Sequence, residues 1–594
     1  MKQPLRSKEF DDVYFSDHDG LAETQHVFIE GNGLPGAFQA LGQGRDHFTV
    51  GETGFGTGLN FLAVWKLFDE TAAPGTFLDF VSIEKFPLSP TEIRAALLPW
   101  AEELGPYMDK FLAQYPLRAA GFHRIVFDRR VALTLVFDDV NEGLPQVNAC
   151  VDAWFLDGFT PAKNPEMWSE TVFREMARLS ASGASFATFT AAGDVKRGLR
   201  EAGFNVQKRP GFGRKRDMLA GRFTGTGTSL PAGTRPKKIA VVGGGLAGTA
   251  CAWVLKQYGF TPALYGWQPS QDVSPEKAPD VFPSLYNPRF TGQRDAESGF
   301  FVSGFAQVVR AMKGFEDVGH YPCGGLHLLH PEVKQKRLPR TAQNWLWHPD
   351  HMRLLTAAEA SDVSGIPLGE GALYLPDAGS VDMRKLCAAY AEGIEKDMSG
   401  PVEDPGHMDA DAVILACGEA VRGFDVLEWL PVHTVRGQGT SVRQTEISKN
   451  LKTNICYGGH ICAPVEGVHV VGATFQKWLH DPQIREEDHR YNLERLEGAV
   501  PSLPANRWTV LGGRAGFRCS AADRFPVVGP VPGQKHVYVL TALGSHGIIG
   551  SLAAAHLLAD QLRGGPVSLP SHTVYALSAQ RFLDRCAKKS RKSR

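Results

Sequence analysis

Residues 47–65 read HFTVGETGFGTGLNFLAVW. His47, Phe48, Thr49 and Val50 make a short β-prone run, a glycine-rich turn follows, and from Leu59 the apolar residues take helical spacing. The turn is Glu52-Thr-Gly54-Phe-Gly56-Thr-Gly58, an acid followed by alternating glycines. Glycines at a strand-to-helix turn let the backbone approach a ligand closely, and the helix start offers it free N–H groups. The spacing is not the GxGxxG of dinucleotide loops. Three later apolar runs, 77–83, 133–137 and 151–156, also end in acids: Glu84, Asp138 with Asp139, and Asp157. Such strand ends predict an α/β sheet that binds a ligand at its carboxyl edge. Taken singly, each acid reads equally as a helix cap or a turn residue.

A second loop opens residues 237–256, KKIAVVGGGLAGTACAWVLK, where strand, GxGxxG and helix follow in order with Gly243, Gly245 and Gly248 as the fingerprint glycines. In that context a pyrophosphate sits on the helix N-terminus. Two later segments support it: DAVILACG at 411–418, a buried strand ending in glycine, and VYVLTALGSHG at 537–547, whose Gly544 and Gly547 precede a helix. An acid for the ribose is expected about 20 residues after the glycines. Gly266-Trp267-Gln268 stands there instead, and Gln268 is the candidate for that hydrogen bond. Between the two halves, residues 224–236 read TGTGTSLPAGTRP, a linker by composition. The division is therefore 1–223, 224–236 and 237–594. No period of about 20 to 50 residues repeats, so a solenoid is excluded.

The 594 residues exceed one hydrophobic core, and with 43% hydrophobic and 21% charged residues they have the make-up of globular domains. No window approaches the roughly 18 apolar residues that a membrane span needs, and the start MKQPLRSKEFDDVYFSDHDG has no apolar signal region. A cytoplasmic location is expected. Nine cysteines include no CxxC pair and no Cys/His cluster, so no disulfide framework and no metal site are expected. A net charge of -1 argues at first against a nucleic-acid partner. Resolved by segment the balance is uneven: residues 1–190 hold 15 basic and 26 acidic side chains, residues 191–223 hold 9 and 3. The basic cluster surrounds PGFGRKRDM at 210–218 and makes a phosphate-contacting surface plausible. The chain end, 581–594, has seven basic residues and one acid, and reads as a solvated helix or a tail.

The first glycine loop resembles motif I of class I S-adenosylmethionine (SAM) methyltransferases, and the second half resembles FAD-dependent amine oxidases of the glycine/D-amino-acid oxidase type, with a mixed-sheet substrate subdomain. SIEKFPL at 82–88, DGFTPAKNPEMW at 157–168, PGFGRKRDM at 210–218, VRGQ at 435–438 and RAGFRC at 514–519 together resemble the bifunctional tRNA 5-methylaminomethyl-2-thiouridine biosynthesis family over nearly the whole chain. The resemblance implies two steps on the wobble uridine of tRNA. FAD-dependent oxidation of the 5-carboxymethylaminomethyl group at its N–CH2 bond, followed by hydrolysis of the imine, leaves 5-aminomethyluridine and glyoxylate. SAM-dependent methylation of that amine follows. It also implies roles: Glu52, Gly54, Gly56 and Gly58 cradle SAM, Glu84 holds its ribose and Asp139 its adenine amino group. Asp157 orients or deprotonates the amine. Arg518 grips the substrate carboxylate, with Arg514 and Arg436 as neighbouring candidates. Gly243, Gly245, Gly248, Gly544 and Gly547 line FAD. The expected partner is tRNA, with no membrane and no obligate protein partner. Two other readings stand beside this one: an oxidase and N-methyltransferase fusion for a small amine, or a degenerate flavin half serving as a tRNA platform, suggested by Gly266-Trp267-Gln268 and by SPEKAPDVFPSLYNPR at 274–289.

Overall fold

The computed structural model describes residues 6–7, 9–14, 19–229, 235–266, 281–345, 347–397, 400 and 402–592. Trp267 and Gln268, most of the linker and the first part of segment 274–289 lie outside them. The chain forms two compact units. Unit 1 holds Met1–Arg235 together with Gln257–Gly259 and Asp560–Ser571, and unit 2 the remainder.

Unit 1 is built on one eight-stranded sheet: β1 (His47–Glu52), β2 (Phe77–Ile83), β3 (Gly121–Phe127), β4 (Val131–Phe137), β5 (Val151–Phe155), β6 (Ser180–Thr188), β7 (Phe204–Pro210) and β8 (Asp217–Phe223), in the order β3-β4-β2-β1-β5-β6-β8-β7. β4, β2, β1, β5 and β6 run parallel, β3 is antiparallel to β4, and β8 is antiparallel to both β6 and β7. The chain leaves β1 toward β2 and β4 and then crosses to β5, so the strand order reverses between β1 and β5. Ligand crevices open at such a reversal. The helix Leu59–Thr71 covers one face, and Phe61, Trp65, Phe80, Phe111 and Phe127 interlock beneath it.

In unit 2 a six-stranded sheet takes the order Glu395–Asp397, Thr261–Tyr265, Lys238–Val242, Ala412–Leu415, Val537–Thr541 and Val527–Pro530, parallel except for the last pair. A mixed eight-stranded sheet and a three-stranded one complete it. The long antiparallel strands Val432–Arg443 and Val510–Ala521 form the edge of the mixed sheet and carry Arg436 and Arg518. The basic chain end is helical from Gln580 to Lys592, yet Arg581 is buried against Asp523 at 2.9 Å rather than solvated.

Candidate functional site

In unit 1 a cavity of about 340 Å3 opens at the carboxyl ends of β1 and β5. Gly54, Gly56, Glu84, Asp139 and Asp157 all line it, as the alignment of strand ends predicts. Gly58 begins the helix Leu59–Thr71 in the left-handed region, φ 79°, which a side chain rarely adopts. A Cβ on Gly54 would stand 3.1 Å from the Asp157 carbonyl oxygen, so that glycine permits the close approach of the two strand ends. Glu84 accepts hydrogen bonds from the Gly56 N–H at 2.9 Å and the Phe86 N–H at 2.8 Å, which ties the turn to the end of β2. Burial nevertheless raises its pKa above the ordinary carboxyl range.

Glu52 is not in the cavity wall but one layer behind it, 1% exposed. Its carboxyl accepts from Asn60 Nδ2 at 2.9 Å and from Ser82 Oγ at 2.6 Å. Burial, with Asp157 nearby, pushes it up to about 8. Asn60 also donates to Asp157 Oδ2 at 2.8 Å, and its own Oδ1 accepts from Thr24 Oγ1 at 2.7 Å. One amide thus spans both acids. The other oxygen of Asp157 accepts from the Gly158 N–H at 2.8 Å, and burial lifts this carboxyl to about 6. Asp139 lines the cavity with both oxygens engaged: Oδ1 caps the helix Val140–Gly143 through the Asn141 N–H at 2.9 Å, and Oδ2 accepts from Lys85 at 2.9 Å. Burial opposes its ionisation, but these bonds outweigh it and hold the pKa below the usual value.

The rest of the wall is aromatic and includes Tyr14, Phe28, Phe159, Phe189 and Phe212. The β7–β8 hairpin delivers Phe212 and Lys215 to it. Lys215 Nζ lies 2.8 Å from Glu23 Oε1 and 4.1 Å from the ring centre of Phe189. Asn60, Thr24, Glu23 and Phe189 did not stand out in the sequence as part of a site, and Lys215 figured only in the basic cluster, as a phosphate contact. Asn60 sits in the helix after the turn, and no motif spacing marks it.

In unit 2 Gly243, φ 126°, lies so close to the strand Ala412–Leu415 that a Cβ would meet the Ala416 carbonyl oxygen at 2.6 Å. A Cβ on Gly248 would be 1.8 Å from the Gly243 oxygen, whereas one on Gly245 would meet no atom within 4 Å. This is the division of labour of a dinucleotide loop: tight turn, open approach for pyrophosphate, close helix packing. Gly544 donates its N–H to the Cys519 oxygen at 2.9 Å, and Thr541 Oγ1 donates to the Gly418 oxygen at 2.7 Å. A Cβ on Gly547 would be 3.2 Å from Leu246 Cδ2, so the last turn abuts the first.

Arg518 projects from Val510–Ala521 across Gly437, where a Cβ would clash with its guanidinium, and donates to the Thr474 oxygen at 3.2 Å. Its burial depresses the pKa of the guanidinium, as expected for a cation with few fixed counter-charges. His460 and His546 lie within its field and are held neutral by burial, His460 down to about 4 and His546 to about 3. Arg436 is different. It is fully buried and bonded to Asp488 at 2.6 Å, Gln476 at 2.6 Å and the Asp481 oxygen at 2.9 Å, so its donors are spent on the protein itself. It is a structural arginine, and the substrate-carboxylate reading does not fit it. Arg514 packs 4.8 Å from the ring centre of Phe282.

Residues 102–224 match the S-adenosyl-L-methionine-dependent methyltransferase family, and residues 238–561 the FAD dependent oxidoreductase family. Over 98% of this chain and 96% of the relative, the sequence is 38% identical to the tRNA 5-methylaminomethyl-2-thiouridine biosynthesis bifunctional protein MnmC of Pseudomonas paraeruginosa. The chain belongs to the MnmC family. The MnmC proteins of Chromobacterium violaceum, 37% identical over 98% of this chain and 96% of the relative, and of Idiomarina loihiensis, 35% identical over 97% of each, agree. As a member of the MnmC family the chain is an enzyme with SAM and FAD as cofactors. Both fit what the structure offers: a carboxylate-edged cavity at the strand reversal of unit 1, and in unit 2 a glycine loop whose second glycine faces open space. Among the described residues no cluster of three or more His, Cys, Asp or Glu is arranged to hold a metal, and no helix is long and apolar enough to cross a membrane.

Proposed function

We propose that the chain completes the 5-methylaminomethyl group of the tRNA wobble uridine in two steps. Unit 2 removes the carboxymethyl group from 5-carboxymethylaminomethyl-(2-thio)uridine, and unit 1 methylates the 5-aminomethyl group that remains. Residues 1–223 and 237–594 are the two functional domains, joined through 224–236, and the tRNA substrate makes the cytoplasm the place of action. The observation that carries this reading is that one chain, related to MnmC proteins over 98% of its length, holds both a SAM-type cavity and a dinucleotide loop.

When bound, SAM supplies an electrophilic methyl group and FAD takes up the two electrons removed from the substrate C–N bond. The chain's own residues do the rest. Methylation needs a neutral amine held in line, so its catalysis is positioning and the removal of one proton. Asp157 takes that proton. Its Oδ2 is fixed by Asn60, and because burial keeps Glu52 protonated up to about 8, Asp157 is the member of the pair that ionises at neutral pH. Glu84 and Asp139 hold the ribose and the adenine amino group of SAM. In unit 2 Arg518 binds the carboxylate of the carboxymethyl group, as a guanidinium fork suits a carboxylate. The cations of 191–223 other than Lys215 contact phosphate.

The test is nucleoside mass spectrometry of tRNA bearing 5-carboxymethylaminomethyl-2-thiouridine after incubation with the FAD-loaded chain. Without SAM the 5-aminomethyl form should accumulate, and with SAM the 5-methylaminomethyl form. An unchanged nucleoside under both conditions defeats the proposal.

A further inference from the structure

The methylation site must take an aminomethyl group that reaches it from water largely as an ammonium ion, because a primary alkylamine is mostly protonated near neutrality. A cavity that selects such a group needs a carboxylate to attract it and an apolar or aromatic surface for its methylene. Unit 1 holds that combination in the same cavity as the glycine turn, and the chain already places there a group of the same chemistry. Lys215 ends in CH2–NH3+, as the substrate does. Its Nζ lies 2.8 Å from Glu23 Oε1 and 4.1 Å from the ring centre of Phe189, and all three side chains line the cavity that Asp157 also lines.

The three come from different parts of the fold. Phe189 directly follows β6 at the carboxyl edge of the sheet. Glu23 ends the short helix Gly20–Glu23, with its side chain 11% exposed. Lys215 rides on the tight turn between β7 and β8, where Gly211 donates to the Arg216 oxygen at 3.0 Å and a Cβ on Gly211 would meet the Lys215 oxygen at 2.3 Å. Thr24, next to Glu23, is bonded to Asn60, which positions Asp157. The charges of Glu23 and Lys215 both bear on Asp157.

We infer that Glu23 and Phe189 form the recognition pocket for the substrate's aminomethyl group, and that Lys215 is an internal stand-in for it, displaced when the wobble base enters. Glu23 draws the ammonium in, and Asp157 takes the proton that must leave before methyl transfer. The same carboxylates repel the acidic side chain of the unprocessed nucleoside, so the pocket discriminates the product of the oxidation from its precursor. This inference rests on the methyltransferase reading given above.

The experiment uses the full chain and tRNA bearing 5-aminomethyl-2-thiouridine, with methyl transfer followed over a range of tRNA concentrations. Turnover by the unaltered chain tests the underlying reading, and two variants test the inference. Glu23→Gln removes the charge that receives the ammonium and should raise KM about ten-fold or more. Lys215→Met removes the competing cation while keeping a long apolar side chain, and should lower KM. SAM affinity, measured by calorimetry, should stay unchanged in both, and oxidation of the precursor tRNA by unit 2 reports that the chain is folded. An unaltered KM in Glu23→Gln overturns the inference. So does a KM that is unchanged or raised in Lys215→Met, since a raised value would make Lys215 a contact to the tRNA phosphates instead. Should Glu23→Gln fail to fold, the direction of the Lys215→Met effect decides alone.

Discussion

Asp157 and Arg518 show how surroundings set the task of a charged side chain. Asp157 is a half-buried carboxyl in the cavity wall with one amide and one peptide N–H for company, and desolvation lifts it to about 6. The proposed base in methyl transfer is its ionised form, so kcat/KM for methylation should climb as pH rises through about 6, with that limb missing in Asp157→Asn. The variant should lose about a hundred-fold or more in kcat while SAM affinity and unit 2 oxidation persist. A pH–rate profile of both proteins checks it. The sign for stability runs the other way: the folded state holds this proton more tightly than the unfolded chain, so the contribution of Asp157 to stability falls as pH rises from the ordinary carboxyl value toward 6. Arg518, by contrast, is proposed as a carboxylate ligand because of its fork. Arg518→Lys keeps the charge and loses the bidentate geometry, so KM for the carboxymethylaminomethyl tRNA should rise by about ten- to a hundred-fold, with methylation of 5-aminomethyl tRNA untouched.

At the scale of elements, the turns were the most legible part of the sequence. Strand, acid, alternating glycines and helix appear at 47–65 as the residue spacing requires, and the chain ends of β1, β2, β4 and β5 converge on one cavity because parallel strands bring their carboxyl ends to one edge. Less legible was what lies behind and across from those ends. Asn60 bridges two acids, yet it has the look of any helix polar residue. Glu23 and Lys215 are 192 positions apart, and Gly437 reads as a strand glycine until Arg518 is seen to need its space. Arg436 and Arg518 have the same residue type on paired strands and opposite fates, which depends on helix Glu486–Ala499 supplying Asp488 to one of them. No local pattern encodes that. The glycine loop of unit 2 yields a prediction at this scale. Gly248→Ala sets a Cβ against the Gly243 oxygen, a backbone atom that cannot turn aside, so strand and helix must part and the loop must open. The purified variant should lack bound flavin in its visible spectrum while still methylating 5-aminomethyl tRNA; a yellow variant with full oxidase activity would show that the loop tolerates the displacement.

For the molecule as a whole, composition misdirected in one respect, and in another the packing does not follow the chain order. Near-neutral net charge is a cancellation between an acidic first stretch and a basic β7–β8 region, several of whose cations are already matched, as Lys208 is by Asp217 at 2.9 Å and Lys215 by Glu23. The division at 224–236 gave everything beyond it to the second half, whereas Gln257–Gly259 and Asp560–Ser571 pack in unit 1. The reason is a buried ionic network. Asp79 of β2 receives Arg124 of β3 at 3.0 Å and Arg563 at 2.7 Å, with His47 against its other oxygen. Arg124 bonds in turn to Asp560, to Thr134 Oγ1 at 2.6 Å and to the Pro566 oxygen at 2.7 Å. Burial opposes the charge on Asp79, but Arg563, His47 and Arg124 more than reverse this and hold its carboxyl far below the usual range. A strand pattern cannot announce partners more than 400 residues away, and a lone Asp at the end of a helix reads as solvated. Such a network stabilises little over an apolar replacement, but breaking it is costly because a charge is left buried and unpaired. Asp560→Ala strips Arg124 of its nearest carboxylate at a site that is 0% exposed, and should destabilise unit 1 by about 3–5 kcal/mol. Replacing Arg124 by Met in the same chain leaves Asp79 paired with Arg563 and His47, so the double variant should recover much of the loss. The measurement is the urea dependence of SAM binding, which follows unit 1 alone in a chain whose two units need not unfold together. Equal midpoints for Asp560→Ala and the unaltered chain would show that the segment 560–571 does not hold unit 1, and a double variant no better than the single would show that the loss comes from packing and not from the stranded charge.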